Sequence, residues 1–568
     1  MSAPRKLKLV LLWHMHQPEF RDQRSGEFLR PWVYLHALKD YSDMAAHLER
    51  HPEVKAVINL VPILLDQLED YADQFATGRL RDPYLRLLVR PELDTLDRAE
   101  RKRILDQCFR ANHSRMVDPF PAYRRLRDVY RSLSELGADP ARCLSGEYLA
   151  DLLTWYHLSW TGETVRRRHE LVVQLMTRGE SFTHADRMQL FELMGGVVRE
   201  LLGRYRALAQ RGQIEISTTP HYHPIGPLLL DFACARETMP DAPLPEAYAY
   251  PGGRQRALWH LESAYRSHEQ RFGARPSGVW PAEGALSTPF ARLLAECGVG
   301  WAASGEGMLV NTLKSRGADV SNRSAFLYRP YRVEFPGAAL PCFFRDDRLS
   351  DLIGFEYKSW HGRDAAHHFI GQLEAILAQA PAGEEPVACV ILDGENAWEY
   401  YPYNGFYFLD DLYGELASHP GINTMTCSEV LRDPAAAALT RPLPALSTGS
   451  WVYGNLSVWI GSHDKNRAWD LLSNAKHSYD LVVASGRLSE SELAGASRQL
   501  AVCEGSDWFW WFGDYNPSES VASFDRLFRD NLANLYRLLK LEAPAALSEP
   551  ISRGAVHAQT DGAMRRAA

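Results

Sequence analysis

The chain has 568 residues, 46% of them hydrophobic, enough to bury a large core. Its 63 basic and 71 acidic residues leave a net charge of −8 with no basic block, which argues against a nucleic-acid partner. Eight scattered cysteines without a Cys-x-x-Cys pair argue against a zinc ribbon and a disulfide scaffold.

The basic start, with Arg5, Lys6 and Lys8 before Leu9-Val10-Leu11-Leu12-Trp13, has too short an apolar stretch for a signal peptide and no small-residue cleavage site. Residues 7–13 are therefore expected to be a buried first strand. No run approaches the ~20 apolar residues of a membrane span. The protein is expected to be soluble and cytoplasmic, with no membrane partner.

Residues 34–50 read as a helix and 54–60 as a second strand. From about 62 to 210 the chain is charged and helical in period, clearest over 188–209, with almost no strand signal. It is expected to be an insertion after the second strand. Further strands are expected at 213–217, 278–280, 300–303, 331–334, 340–344 and 387–392, with helices at 254–271, 288–297 and 364–378. Strands alternating with helices indicate a parallel sheet, and about seven such units before residue 430 indicate a closed or nearly closed barrel. The Ala- and Pro-rich stretch 433–450 reads as a linker, 451–548 as a helical C-terminal domain, and 549–568 as a frayed tail.

Two apolar runs end on carboxylates beside indole rings: Gly278-Val279-Trp280-Pro281-Ala282-Glu283 and Val390-Ile391-Leu392-Asp393-Gly394-Glu395-Asn396-Ala397-Trp398. Paired acids beside aromatic rings are what a glycosidase needs. One attacks the sugar or activates water, the other protonates the leaving oxygen, and rings stack on sugar faces. Alone, Glu283 is more often a solvated residue and Asp393 a helix N-cap. Glu395 sits where it could orient Asp393 or bind a sugar hydroxyl. His14 and His16, in Trp13-His14-Met15-His16-Gln17-Pro18, share one strand face and could bind substrate or metal. Glu215 lies inside a buried strand and must be paired or face a site. His221 and His223 follow it, with loop hydrogen bonding as their plain role. Ser506-Asp507-Trp508-Phe509-Trp510-Trp511-Phe512 reads equally as a packing plug or a sugar-binding wall, and Trp459 with Asp464 is a weaker case of the same kind.

With these segments in view, the sequence resembles glycoside hydrolase family 57. Five match the family's regions in order: His14-Met15-His16-Gln17-Pro18, Gly212-Gln213-Ile214-Glu215-Ile216, 278–283, 392–398 and 459–464. The resemblance implies an α/β fold, an incomplete TIM-like (β/α)7 barrel with a helical insertion and an α-helical C-terminal domain that completes the site. It implies a retaining mechanism without metal or other cofactor, acting on α-glucans. Glu283 matches the nucleophile and Asp393 the acid/base; His14, His16 and Glu215 match the sugar subsite. Trp280 and Trp398 match stacking rings, and His223, Glu395, Trp459, Asp464 and Trp508 are carried as substrate-binding. The amylase and amylopullulanase branch fits best: hydrolysis of α-1,4 links, with α-1,6 open. A 4-α-glucanotransferase or branching enzyme would share the site.

Two readings of other classes compete. A metal-dependent barrel hydrolase would use His14/His16, His221/His223 and Asp393 as ligands, but it leaves Glu283 and the tryptophans without a role. A non-catalytic glucan-binding protein would not need paired acids.

Overall fold

Strand β1 (Leu7–Met15) is buried at every position, as a parallel strand covered on both faces must be. The computed structural model describes residues 5–555. The other strands are β2 (Ala56–Leu60), β3 (Ile214–Ser217), β4 (Gly278–Val279), β5 (Trp301–Gly305), β6 (Tyr331–Phe335), β7 (Ala338–Arg345), β8 (Val387–Asp393), β9 (Ile422–Thr424) and β10 (Arg441–Leu443). All the strands expected from sequence form, within two or three residues of their expected bounds. The three-residue β9 and β10 carried too little pattern to be seen.

Seven strands make the barrel. β1 pairs in parallel with β2 and β8, β2 with β3, β4 with β5, and β5 with β7. Two joints are thin. β3 meets β4 through a Thr218–Val279 bridge, and β7 meets β8 through Asp346 N–H donating to the Cys389 carbonyl at 2.7 Å. Outside the ring, β6 pairs antiparallel with β7 and β10 parallel with β6, while β9 pairs with the first residues of β1.

The two-residue period sorts each strand. Leu7, Leu9, Leu11 and Trp13 belong to the large core shared with the helices, whereas Val10 and Leu12 pack inside the barrel with Val57, Trp301, Phe343 and Ile391. His14 continues the inward series at the C-terminal end of β1, level with Asp393 across the β1–β8 pair.

Every regular element between β2 and β3 is a helix, from Pro62–Thr77 to His184–Gln210. The C-terminal part is built of His463–Ala484, Glu490–Cys503, Asp507–Trp511 and Ser518–Leu538. The expected linker is a correction. It folds as a helix (Pro434–Leu439) followed by β10, and Leu286 bridges to Gly449, so the segment is tied to the barrel along its length. The expected frayed tail is corrected in part: Ile551 is buried and Ala555 pairs with Pro517, while residues 556–568 lie outside the described residues.

One buried ion network clamps the C-terminal helices to the barrel. Glu504, fully buried, accepts hydrogen bonds from Arg256 (2.7–3.0 Å), Tyr250 (2.5 Å) and His260 (2.7 Å). These partners, the Arg256 charge above all, overcome burial and hold the Glu504 carboxyl down at about 2. Two residues further on, Ser506 and Asp507 reach the barrel mouth.

Candidate active site

The C-terminal ends of the strands open into a cavity of about 340 Å³. His14, His16, His223, Glu283, Asp393, Glu395 and Asp507 all line it. Barrel strands bring polar groups to this end because the interior below is filled with apolar side chains.

Glu283 follows β4 in a short turn and adopts φ 58°, as does His223 at φ 59°. Left-handed backbone costs a residue with a Cβ about 1–2 kcal/mol, so two such residues in one site mark positions fixed by their surroundings. Gly284, the next residue, is also left-handed, and a Cβ there would lie 2.8 Å from the Trp280 ring. The Glu283 carboxylate accepts a hydrogen bond from Trp451 Nε1 at 3.0 Å and has His223 Nδ1 at 4.0 Å. Burial, with the charges of Asp393 and Asp507, pushes its carboxyl up to about 8; the Trp451 bond opposes this.

Asp393 is the last residue of β8 and accepts from Asn396 Nδ2 at 2.8 Å. Burial raises its carboxyl above the usual range, while Asn396, His16 and Arg345 pull it down. Arg345 is itself fixed by the Ile391 carbonyl (2.8 Å), Asp347 (2.7 Å) and Asp351 (2.9 Å). The Glu395 carboxyl rises well above its ordinary range because it is buried near Asp393 and Asp40. It accepts from the His16 backbone N–H at 3.3 Å and from Gln17 Nε2 at 3.4 Å.

Three imidazoles form a stack. His16 lies on His223 with ring centres 3.9 Å apart and planes 16° apart, and His14 lies 5.2 Å from His223. His14 Nδ1 bonds Asn59 Oδ1 at 2.7 Å, His223 Nδ1 bonds Ser506 Oγ at 2.8 Å, and His16 Nε2 bonds Asp507 at 2.9 Å. Burial drives the His14 imidazole down to about 3 and His223 well below its ordinary value, so both are neutral hydrogen-bonding groups at pH 7. His223 Nε2 is buried with no partner among the described residues, a donor or acceptor available to a ligand.

His16, His223 and Asp507 hold ligand atoms within 4.8 Å of one another, but their orientation does not suit a metal. An imidazole binds metal along its ring plane at roughly 2.0–2.1 Å. Two nearly parallel rings 3.9 Å apart cannot both aim at one ion without turning. The ligand set expected for a metal hydrolase does not assemble either, because His221 leaves the cavity to bond Asp66 (3.0 Å) and Ser263 (2.8 Å).

A family model for glycosyl hydrolase family 57 matches residues 10–441. The chain belongs to glycosyl hydrolase family 57. Among solved structures it is similar to a branching enzyme of that family from Thermococcus kodakaraensis, at 16% identity and a TM-score of 0.56 over 94% of this chain and 90% of that one. A branching enzyme from Pyrococcus horikoshii gives the same identity and TM-score over 96% and 97%. The α-amylase AmyC from Thermotoga maritima gives 14% and 0.56 over 94% and 93%. At these identities the likeness establishes the fold, the incomplete barrel with its C-terminal helices.

Within this family 57 chain, six residues expected in the sugar site lie elsewhere. Glu215 faces inward but one layer below His14. Its carboxylate accepts from Trp301 Nε1 (2.7 Å) and from Ser428 N–H (2.9 Å) and Oγ (2.7 Å) of the short helix after β9, so it ties the barrel floor. Trp280 is fully buried beneath Trp451, edge to face at 5.2 Å, and supports the site without forming its surface. Trp398 is buried and donates to the Gly394 carbonyl at 2.9 Å, bracing the loop after Asp393. Trp459 is buried, and Trp508 is buried and donates to the Val502 carbonyl at 2.8 Å. Asp464 begins a helix beside His463 and does not line the cavity.

The rings that do line it are Trp32, Trp160, Tyr400, Trp451, Trp510 and Trp511, with Phe20, Phe355 and Phe524. Trp451 and Arg345 carry no sequence signal that marks them for the site. Asp507 stands at the head of the ring-rich helix Asp507–Trp511, which contributes its acid and the rings of Trp510 and Trp511 to the wall.

Proposed function

We propose that this family 57 enzyme cleaves α-1,4-glucan links by a retaining double displacement, with Glu283 as nucleophile and Asp393 as acid/base. The observation that carries the reading is the pair of carboxyls at the ends of β4 and β8, facing one cavity, both raised by burial and Glu283 raised further by the Asp393 charge. The reactive form has Asp393 protonated and Glu283 ionised, its charge received by the Trp451 N–H. Asp393 then protonates the glycosidic oxygen as Glu283 Oε attacks the anomeric carbon. With the leaving glucan gone, Asp393 takes a proton from water, which displaces Glu283 and restores the starting configuration. Neutral His14 and His223 supply hydrogen bonds to hydroxyls without adding charge.

Transfer to a second glucan is the other reading, favoured by the aromatic walls that limit water. The solved neighbours named as branching enzymes belong to that class. Maltoheptaose and pullulan, digested by the wild type and by Glu283→Gln with and without EDTA, test both readings. The expected result is shorter maltooligosaccharides from the wild type alone, first released with the α configuration, and insensitive to EDTA. Products longer than the substrate support transfer, and cleaved pullulan adds α-1,6 links. Activity in Glu283→Gln overturns the assignment.

A further inference from the structure

The cavity wall carries positive charge that the cavity's own acids do not balance. Arg30 and Arg110 both line it. Arg30 stands in the segment between β1 and the helix Trp32–His36, and Arg110 follows helix Arg98–Gln107 of the insertion. Both grip one helix of the C-terminal part, Ser518–Leu538. Arg30 Nη2 donates to Ser523 Oγ at 2.5 Å, and Arg110 pairs with Glu519. Residues four apart on a helix lie on one face, with Cβ atoms roughly 5–6 Å apart, so these partners bring the two guanidiniums side by side.

An arginine cannot shed its proton to escape burial. Arg30 is partly buried, and no carboxylate among the described residues forms an ion pair with it. Burial and the Arg110 charge push its guanidinium below its ordinary value; Tyr84 and Tyr156 oppose them, and no acid does. Arg110 is balanced from outside the cavity. Its partner Glu519 is 73% exposed, and so open a pair is weak and readily exchanged. Ser520 adds a second hydroxyl of the same helix to the wall.

This wall lacks an anion. A sugar hydroxyl can accept from one arginine but leaves both charges standing. A carboxylate presents two oxygens in one plane and satisfies one guanidinium fork. A phosphate monoester carries about −1.5 to −2 charges at pH 7 and three terminal oxygens, which two forks and two hydroxyls can share.

We propose that Arg30 and Arg110, with Ser520 and Ser523, form a phosphate site in the cavity wall, which takes the phosphate monoester of a phosphorylated α-glucan or of a free sugar phosphate. The glucan source rests on the functional reading above; the anion site itself does not. Barrel, insertion and C-terminal part each supply one piece of it, so the insertion helps to select the ligand by charge.

Binding, not turnover, tests the site. Glucose 6-phosphate and glucose are titrated calorimetrically into the wild type at roughly 0.15 M salt, where loosely held surface charge is screened. Phosphorylated amylodextrin and its phosphatase-treated form are titrated into Glu283→Gln. At least one phosphorylated ligand is expected to bind at least fivefold tighter than its phosphate-free partner. Arg30→Gln/Arg110→Gln, made in either background, is expected to abolish that preference. A preference below fivefold for both pairs overturns the proposal, as does one that the double variant keeps. A preference among the dextrins names the glucan as carrier; one confined to glucose 6-phosphate names a free sugar phosphate. Thermal melts check folding. If the double variant does not fold, Arg110→Gln alone, at a side chain 32% exposed, is read by the same criterion. If Glu283→Gln cleaves the dextrins, the functional reading fails on its own account, and the glucose 6-phosphate arm decides the site.

Discussion

Trp451 is bonded twice to Glu283: its indole Nε1 donates to the carboxylate at 3.0 Å and its backbone N–H donates to the Glu283 carbonyl at 3.1 Å. The two residues are 168 apart in sequence. Trp451 stands at the start of the C-terminal part, so the donor that favours an ionised Glu283 comes from outside the barrel strands. The left-handed backbone of Glu283 and its carboxylate are fixed by one neighbour.

Removing that donor should be costly and visible in pH. Trp451→Phe keeps the ring but loses the N–H. With less of Glu283 ionised at neutral pH, kcat/KM there should fall. Because the bond lowers the Glu283 proton affinity, its loss raises it, and the acidic limb of kcat/KM should move to higher pH. A pH–rate profile checks both; an unmoved limb removes Trp451 from the electrostatics.

Asp507→Asn should shift the same limb the opposite way. The Asp507 charge is one of the causes that raise Glu283, so neutralising it lowers Glu283 and carries the acidic limb to lower pH. The variant also weakens the bond to His16 Nε2, and kcat/KM on maltodextrin should fall. The same profile serves as the measurement.

Stability should respond to Glu283 with a definite sign. Its carboxyl is raised from about 4.5 to about 8 in the folded protein. That contribution is fully present below pH 4.5 and is lost as pH rises through 8. Glu283→Gln removes the loss and should stabilise the protein at pH 8–9 by on the order of 2 kcal/mol, with little effect at pH 4. Denaturant midpoints at the two pH values measure the difference.

Glu504 should behave in reverse. Its carboxyl, held at about 2, contributes stability that is present above pH 4.5 and lost as pH falls toward 2. Glu504→Gln leaves Arg256 buried without its counter-charge, which costs about 3–5 kcal/mol near neutral pH. The deficit should shrink as the pH is lowered through 4, read from denaturant midpoints across that range. Loss of alignment at Ser506 and Asp507 should accompany it as a raised KM.

Glu215→Gln separates the barrel floor from the site. It weakens the bonds to Trp301 and Ser428 and should cost about 1–3 kcal/mol of stability. Turnover of maltoheptaose by the folded variant should stay within twofold of wild type. A hundredfold loss would return Glu215 to the sugar site.

Much of this was legible from the chain. Apolar runs of strand length fixed where β1, β2, β7 and β8 lie, because parallel strands buried on both faces must be mostly apolar; β3, with Glu215 inside it, needed a paired carboxylate. The same rule placed His14, Glu283 and Asp393 at the barrel mouth: each polar residue ends or follows an apolar run. The long helical period between residues 62 and 210 marked the insertion for the same reason.

What sequence could not decide was which layer each side chain occupies and what covers it. Glu215 and His14 both point inward, yet a two-residue difference in register puts one on the floor and one in the site. Trp280 and Trp451 are equally tryptophans beside a strand end, and only packing shows that one lies under the other. Trp160, Trp451 and Asp507 join the cavity from segments remote in sequence, through contacts such as the Glu504 clamp that no local pattern encodes. The order of apolar and polar residues determined the barrel and its two acids; the packing of distant segments against it decided the walls of the site.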